Sequence, residues 1–230
     1  MKNKDEMLEK IAQHLMLYNS FADTIGLLDG KMGGVIFFFL YAKYSEKTIY
    51  EKFAYELLSE IYEDISRDTP IGFKDGLSGI AWGMDYLIYN KYVVTDDEDL
   101  LDELDELIIK AEVNKIQGAS LETGLKGFAH YVISRKNNAL LNHSIISIDY
   151  VRSLKKALEK VNKDEETFFL SQQLSLVIEE IRPQYDHNHL FKKIVGNVLY
   201  DPDQIFYPQR TFGLVNNGYI GIGLHLLLKN

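Results

Sequence analysis

The chain has 230 residues, 46% of them hydrophobic and 12% aromatic, with 34 acidic against 25 basic side chains and no cysteine. That composition belongs to a globular protein with a sizeable core rather than to a disordered or collagen-like chain. The net charge of −9 argues against a basic nucleic-acid surface, and zero cysteines exclude disulfides, thiolate catalysis and cysteine-ligated zinc.

From the N-terminus, Met1 to Glu6 lacks the basic start, apolar run and small-residue cleavage site of a secretory signal. No segment reaches the ~18 to 20 apolar residues of a membrane span. The expectation is a soluble, cytoplasmic protein that binds neither nucleic acid nor membrane.

Four Gly-x-x-Gly pairs organise the rest of the chain: Gly30/Gly33, Gly76/Gly79, Gly124/Gly127 and Gly218/Gly221, at intervals of 46, 48 and 94 residues. The last interval is twice 47, so an unmarked copy is expected near position 171. Each pair is preceded by a helix-capping residue type, Asp29, Asp75, Thr123 or Asn217, which predicts a side-chain N-cap at the start of each helix. Apolar helices then begin, as in Val35 to Tyr41 and Ile80-Ala81-Trp82.

Between them lie amphipathic segments. The first covers 4–18. The next runs from Thr48 to Ser66, with a Thr48-x-x-Glu51 capping box and Ile49, Phe53, Leu57, Ile61 and Ile65 on one stripe. A third spans 96–113, where Asp96, Asp97, Glu98, Asp99, Asp102, Glu103, Asp105 and Glu106 interleave with Leu100, Leu101, Leu104, Leu107 and Ile108, the pattern of a solvated helix face. Segments 148–161 and 188–200 complete the set, and 165–182 reads as the inner helix of the fourth, glycine-free repeat. No run alternates with period two over a strand's length. The predicted fold is all-α: a single domain over 1–230, an α/α toroid, full or partial, of about five hairpins, with inner helices buried and outer helices forming the shell.

The segments Leu28-Asp29-Gly30-Lys31-Met32-Gly33-Gly34, Phe73 to Ala81, and Asn217-Gly218-Tyr219-Ile220-Gly221-Ile222-Gly223 resemble the repeat signature of the lanthionine synthetase C-like family over nearly the whole chain. The resemblance implies an α/α toroid in which a glycine turn opens each inner helix, and a link to the maturation of ribosomally made peptides. In the family's cyclases two cysteines and a histidine on the inner-helix rim hold a zinc that activates a substrate thiol. None of those ligands carries over, and the histidine that precedes one repeat glycine in the cyclases is replaced here by Asp29, Asp75, Thr123 or Asn217. The cyclases have about seven hairpins. The resemblance therefore implies a shortened, zinc-less relative with no cofactor, a peptide-binding or accessory protein whose partners are a precursor peptide or peptide-modifying enzymes.

The rim at the inner-helix N-termini is where a ligand is expected, bordered by Asp29, Lys31, Asp75, Trp82, Thr123, Lys126, Asn217 and Tyr219. Asp29 and Asp75 are the catalytic candidates: as a carboxylate pair they would suit a carbohydrate hydrolase or lyase, and as N-caps they would be structural. Lys31 and Lys126 are either solvated turn residues or, with free helix N–H groups, an anion site. Trp82 either stacks on a ligand or packs in the core. His187 and His189 fall in a predicted loop after Pro183 as a possible metal pair, although no metal site is expected, and His130 and His225 read as hydrogen-bonded core residues. A third reading is a helical interaction module that binds a partner helix or a second copy.

Overall fold

The computed structural model describes residues 4–18, 22, 24–94, 100–138, 145–161, 163–196, 198–201, 210–215 and 217–228. Among them the fold is all-helical, with no strand. The described residues form ten α-helices, in order: α1 Lys4–Tyr18, α2 Lys31–Ser45, α3 Thr48–Asp64, α4 Leu77–Tyr89, α5 Leu100–Ile109, α6 Leu125–Asn137, α7 Ile148–Val161, α8 Glu165–Ile178, α9 His187–Gly196 and α10 Tyr219–Leu228. None is long and apolar enough to cross a membrane. The acidic residues 96–99 lie outside the described residues.

The two predicted helix types are both present. α2 is buried at every position from Lys31 to Tyr41, and α4 from Leu77 to Ile88, because their apolar residues surround the helix rather than forming a stripe. α3 and α7 bury one stripe only, Ala54, Leu57 and Ile61 in the first, Val151, Leu154 and Leu158 in the second. α8 is intermediate: it buries Leu170, Leu174 and Val177 but leaves Phe168 65% exposed.

The chain packs as two compact units, Met1–Ser66 with Asn188–Asn230, and Arg67–His187. In the first unit the C-terminal hairpin lies beside the N-terminal one: α10 packs on α1 and α2, and α2 on α3. A Cβ at Gly223 would strike the Phe37 ring and come within 3.3 Å of Ile11, so this close approach needs the glycine. In the second unit α4, α6 and α8 stand side by side as inner helices. α5 backs α4, while α7 packs on both α6 and α8. The guanidinium of Arg135 on α6 bonds Asp105 on α5 at 2.8 to 3.1 Å, both side chains fully buried, tying an inner to an outer helix.

Candidate functional site

The inner-helix N-termini are capped, but not as the side chains suggest. The N-caps of α2, α4 and α6 are the glycines themselves, Gly30, Gly76 and Gly124, extended and without a side-chain cap bond, so Asp29, Asp75 and Thr123 sit one residue too early to cap. The backbone does the capping instead. Lys31 N–H donates to Thr24 O, Leu77 N–H to Pro70 O and Leu125 N–H to Gly118 O, at 2.8 to 3.1 Å, each seven residues back. The turn folds over the helix end so tightly that a Cβ on any of these glycines would overlap it; the second glycines meet the turn too, Gly33 against Leu27 O and Gly127 against Leu121 O. In the last repeat the bond runs eight residues back, Tyr219 N–H to Thr211 O, and the extra residue is absorbed by Asn217 in the left-handed region at φ 57°. The Thr48 capping box is likewise absent: Thr48 is already helical and Lys47 is the N-cap, with no side-chain bond.

Neighbouring turns do lie at the same ends of neighbouring inner helices. Within the first unit Leu214 N–H donates to Leu28 O at 2.6 Å, and within the second Lys74 N–H donates to Glu122 O at 2.8 Å. The expectation of free N–H groups on this rim fails, however, because the turn carbonyls already accept from the first of them.

The two turn lysines are neither solvated nor open to an anion. Lys31 Nζ lies 3.0 Å from Glu60 and 3.2 Å from Asp64 on α3, and Lys126 Nζ lies 2.6 Å from Asp164 and 3.0 Å from Glu166 at the start of α8. Burial pulls both ammonium groups down, but the paired carboxylates outweigh it and hold both above the usual lysine value. Of the remaining rim residues, Asp29 is half-buried, and Asp75 stands 3.8 Å from the Lys74 ammonium. Asn217 accepts from Leu199 N–H through Oδ1, and Tyr219 is buried against the His14 ring. Thr123 is exposed and bonded to Ser120.

Trp82 is fully buried and heads a hydrogen-bonded chain across the second unit. Its Nε1–H donates to the Tyr185 oxygen at 2.9 Å, and the Tyr185 hydroxyl, 2.9 Å from His130 Nδ1, gives its own proton there. That assignment leaves the His130 proton on Nε2, aimed at Glu166 Oε1 3.4 Å away. Glu166 bonds Lys126, and Lys126 bonds Asp164, whose other oxygen caps α8 by accepting from Thr167 N–H at 2.8 Å. The Lys126 ammonium holds the Asp164 carboxyl below its usual range, whereas burial raises the Tyr185 phenol well above its own.

A second buried cluster gathers on Asp85 of α4. Ser134 on α6 donates to its Oδ2, Asn138 Nδ2 donates to Oδ1 at 2.8 Å, and His187 Nε2 lies 3.0 Å from Oδ2. Burial pushes this carboxyl up, but His187, Ser134 and Asn138 together bring it below its ordinary value. Serine, histidine and aspartate are all present, yet this is no nucleophilic triad: serine and aspartate meet the same imidazole nitrogen, and none of the three side chains reaches solvent. His187 is thus the first residue of α9, fully buried, and not a loop ligand, while His189 is exposed. Among the described residues no three His, Asp or Glu side chains gather as a metal site.

Two open clefts lie in the second unit. One, about 470 Å³, runs between α7 and α8 past Lys155, Glu159, Asp164, Phe168 and Gln172. The other, about 460 Å³, is lined by Ile71, Lys110, Lys115, Gln117, Thr123 and Phe128, so the exposed Thr123 of the rim borders this cleft. Sequence reasoning missed Asp85, Ser134, Glu166 and Tyr185. The signal for Asp85 was available, as the single acid in an otherwise apolar inner helix.

A family model described as lanthionine synthetase C-like protein matches residues 23–188. No curated protein and no solved structure matches the chain.

Proposed function

Because the chain belongs to the lanthionine synthetase C-like family, we propose that it binds a short, ribosomally made precursor peptide as an accessory to the enzymes that modify it, and that it does not itself perform zinc-dependent cyclisation. The observation that carries the second half is the donor set. These 230 residues contain no cysteine. Among the described residues of the second unit, the two buried histidines are already committed, His130 to Tyr185 and Glu166, His187 to Ser134 and Asp85. Zinc in the cyclases is held by thiolates and would activate a thiol by lowering its pKa; the residues present here do not fit that ion.

What supports peptide binding is the surface of the second unit, where two clefts set aromatic or aliphatic side chains (Phe168 in one, Ile71, Ile116 and Phe128 in the other) beside lysines, carboxylates and a glutamine amide, each of a size that takes one or two peptide side chains. The test is a titration of the purified protein with a labelled precursor peptide encoded near its gene, alongside incubation of the dehydrated, cysteine-containing peptide with protein and added zinc. Saturable binding at micromolar concentration is expected, with alkylatable thiols counted by mass spectrometry falling no faster than in buffer, and elemental analysis finding no stoichiometric zinc. Absence of binding up to millimolar peptide would overturn the accessory role, and enzyme-dependent thiol loss would overturn the non-cyclase reading.

A further inference from the structure

Residues Arg182 to Asp186, between α8 and α9, form no helix, and burial alternates along them into the first residue of α9: Pro183, Tyr185 and His187 face inward, Gln184 and Asp186 outward. A two-residue period is that of an extended peptide lying on a surface. Its main chain is held by side-chain amides from two successive inner helices. Asn137 Nδ2 on α6 donates to Tyr185 O at 3.1 Å, and Gln184 N–H donates to Gln173 Oε1 on α8 at 2.7 Å. Its inward side chains end in dedicated polar sockets: the Tyr185 hydroxyl between Trp82 and His130, the His187 imidazole against Ser134 and Asp85. Aromatic rings complete the second socket, with Tyr89 stacked 4.7 Å from the imidazole and Tyr185 5.0 Å away edge-on. Main-chain clamps combined with pockets for alternate side chains are how proteins bind extended peptides in general.

We infer that the face shared by α4, α6 and α8 is an extended-peptide groove selective for a tyrosine-x-histidine pair, and that residues 182–187 fill it as an intramolecular pseudo-ligand. The inference rests on the peptide-binding reading and adds a second, internal site with its own regulation. A tethered segment holds its groove at an effective concentration on the order of millimolar, so a free peptide enters only when the strap is released or outcompeted. Selectivity for tyrosine over phenylalanine arises from the socket, since a ring without the hydroxyl leaves the buried Trp82 and His130 nitrogens unpaired.

The strap is tested by replacing it: Pro183→Gly, Gln184→Ser, Tyr185→Gly, Asp186→Ser and His187→Ser in the full chain, titrated with a synthetic peptide of residues 181–188. Trp82, the single tryptophan, reports occupancy of the adjoining socket. The expected result is a saturable change in its emission, at least tenfold tighter for the substituted chain than for the parent, and at least tenfold weaker when the peptide carries phenylalanine for tyrosine. Should the substituted chain be unfolded alone, the peptide is expected to restore its helical circular dichroism. A substituted chain, folded or not, that fails to respond to millimolar peptide overturns the groove, as does equal binding of the tyrosine and phenylalanine peptides. A parent protein that binds precursor peptide while the substituted chain stays silent leaves the accessory role standing and removes only this inference.

Discussion

Replacing Gly127 by alanine separates two reasons for a glycine in a repeat turn. The residue is helical, so in open space alanine would gain about 1 kcal/mol in propensity. Here the added methyl would strike the Leu121 carbonyl and lie 2.6 Å from Phe73 Cβ and 3.2 Å from its Cγ. Phe73 is fully buried, and the turn carrying Leu121 is bonded sideways through Glu122 O to Lys74, so neither neighbour yields easily. Overpacking of that kind costs about 1 to 3 kcal/mol, and more when backbone must shift. Because the clash is partly with backbone, the upper part of that range, about 2 to 3 kcal/mol, applies; with the propensity gain subtracted, the loss is expected at roughly 1 to 2 kcal/mol, read as a lower urea midpoint with an unchanged slope. Two comparisons isolate the cause. Gly196, the last residue of α9, has nothing within 4 Å of its added Cβ, so Gly196→Ala is expected to be neutral or slightly stabilising. Gly118 also has open space, but at φ 74° alanine pays for the left-handed backbone, about 1 kcal/mol. A Gly127→Ala protein as stable as its parent would refute close approach as the reason for the repeat glycines.

Asp85→Asn keeps the shape of the buried cluster but removes its charge, and a loss of about 2 to 3 kcal/mol is expected at pH 7. The native carboxyl lies below its unfolded value of roughly 3.9, so its contribution is present above that pH and fades as pH falls through the folded value. The deficit of the variant should therefore shrink in urea titrations carried from pH 7 toward pH 3, and a constant deficit would remove the charge from the account. Tyr185→Phe leaves Trp82 Nε1 and His130 Nδ1 without their shared oxygen; about 1 to 3 kcal/mol of stability and a shifted Trp82 emission are expected, and unchanged emission would contradict the hydrogen bond. Lys126→Met takes the ammonium away from Asp164 and Glu166, which are partly solvated and keep their bonds to Thr167 N–H and His130, so about 1 kcal/mol or less is at stake. The lowered Asp164 carboxyl should then return toward its ordinary value, observable by NMR titration.

The hairpin order was legible because burial imposes a period that survives in the sequence: α2 and α4 are apolar all round, α3 and α7 on one stripe, and the predicted spans 4–18, 148–161 and the starts at 48 and 165 coincide with helices. What stayed hidden depends on contacts between distant positions. Lys31 finds its partners 29 and 33 residues away, and Lys126 finds its own 38 and 40 residues away, so each reads locally as a turn lysine. The strap was hidden differently. Its alternation covers only Pro183 to His187, too few residues to outweigh a proline and a polar composition that signal a loop.

The fourth repeat shows why the glycine signature and the cap prediction failed together. An inner helix has N–H groups at its start that need acceptors. Where a turn folds back over the helix end, its carbonyls supply them, the approach leaves no room for a Cβ, and the preceding Asp29, Asp75 or Thr123 has no capping bond to make. α8 has no such glycine turn. It starts instead with Asp164 as a true side-chain cap, and the same carboxylate takes up Lys126 from the neighbouring repeat. Glycine turn and aspartate cap are two solutions to one requirement, and a helix that uses the second is released from the first. Loss of the glycines at this repeat is therefore compatible with retaining the helix, its register and its place beside α6, and a capping residue ahead of a glycine pair is not itself evidence of a cap.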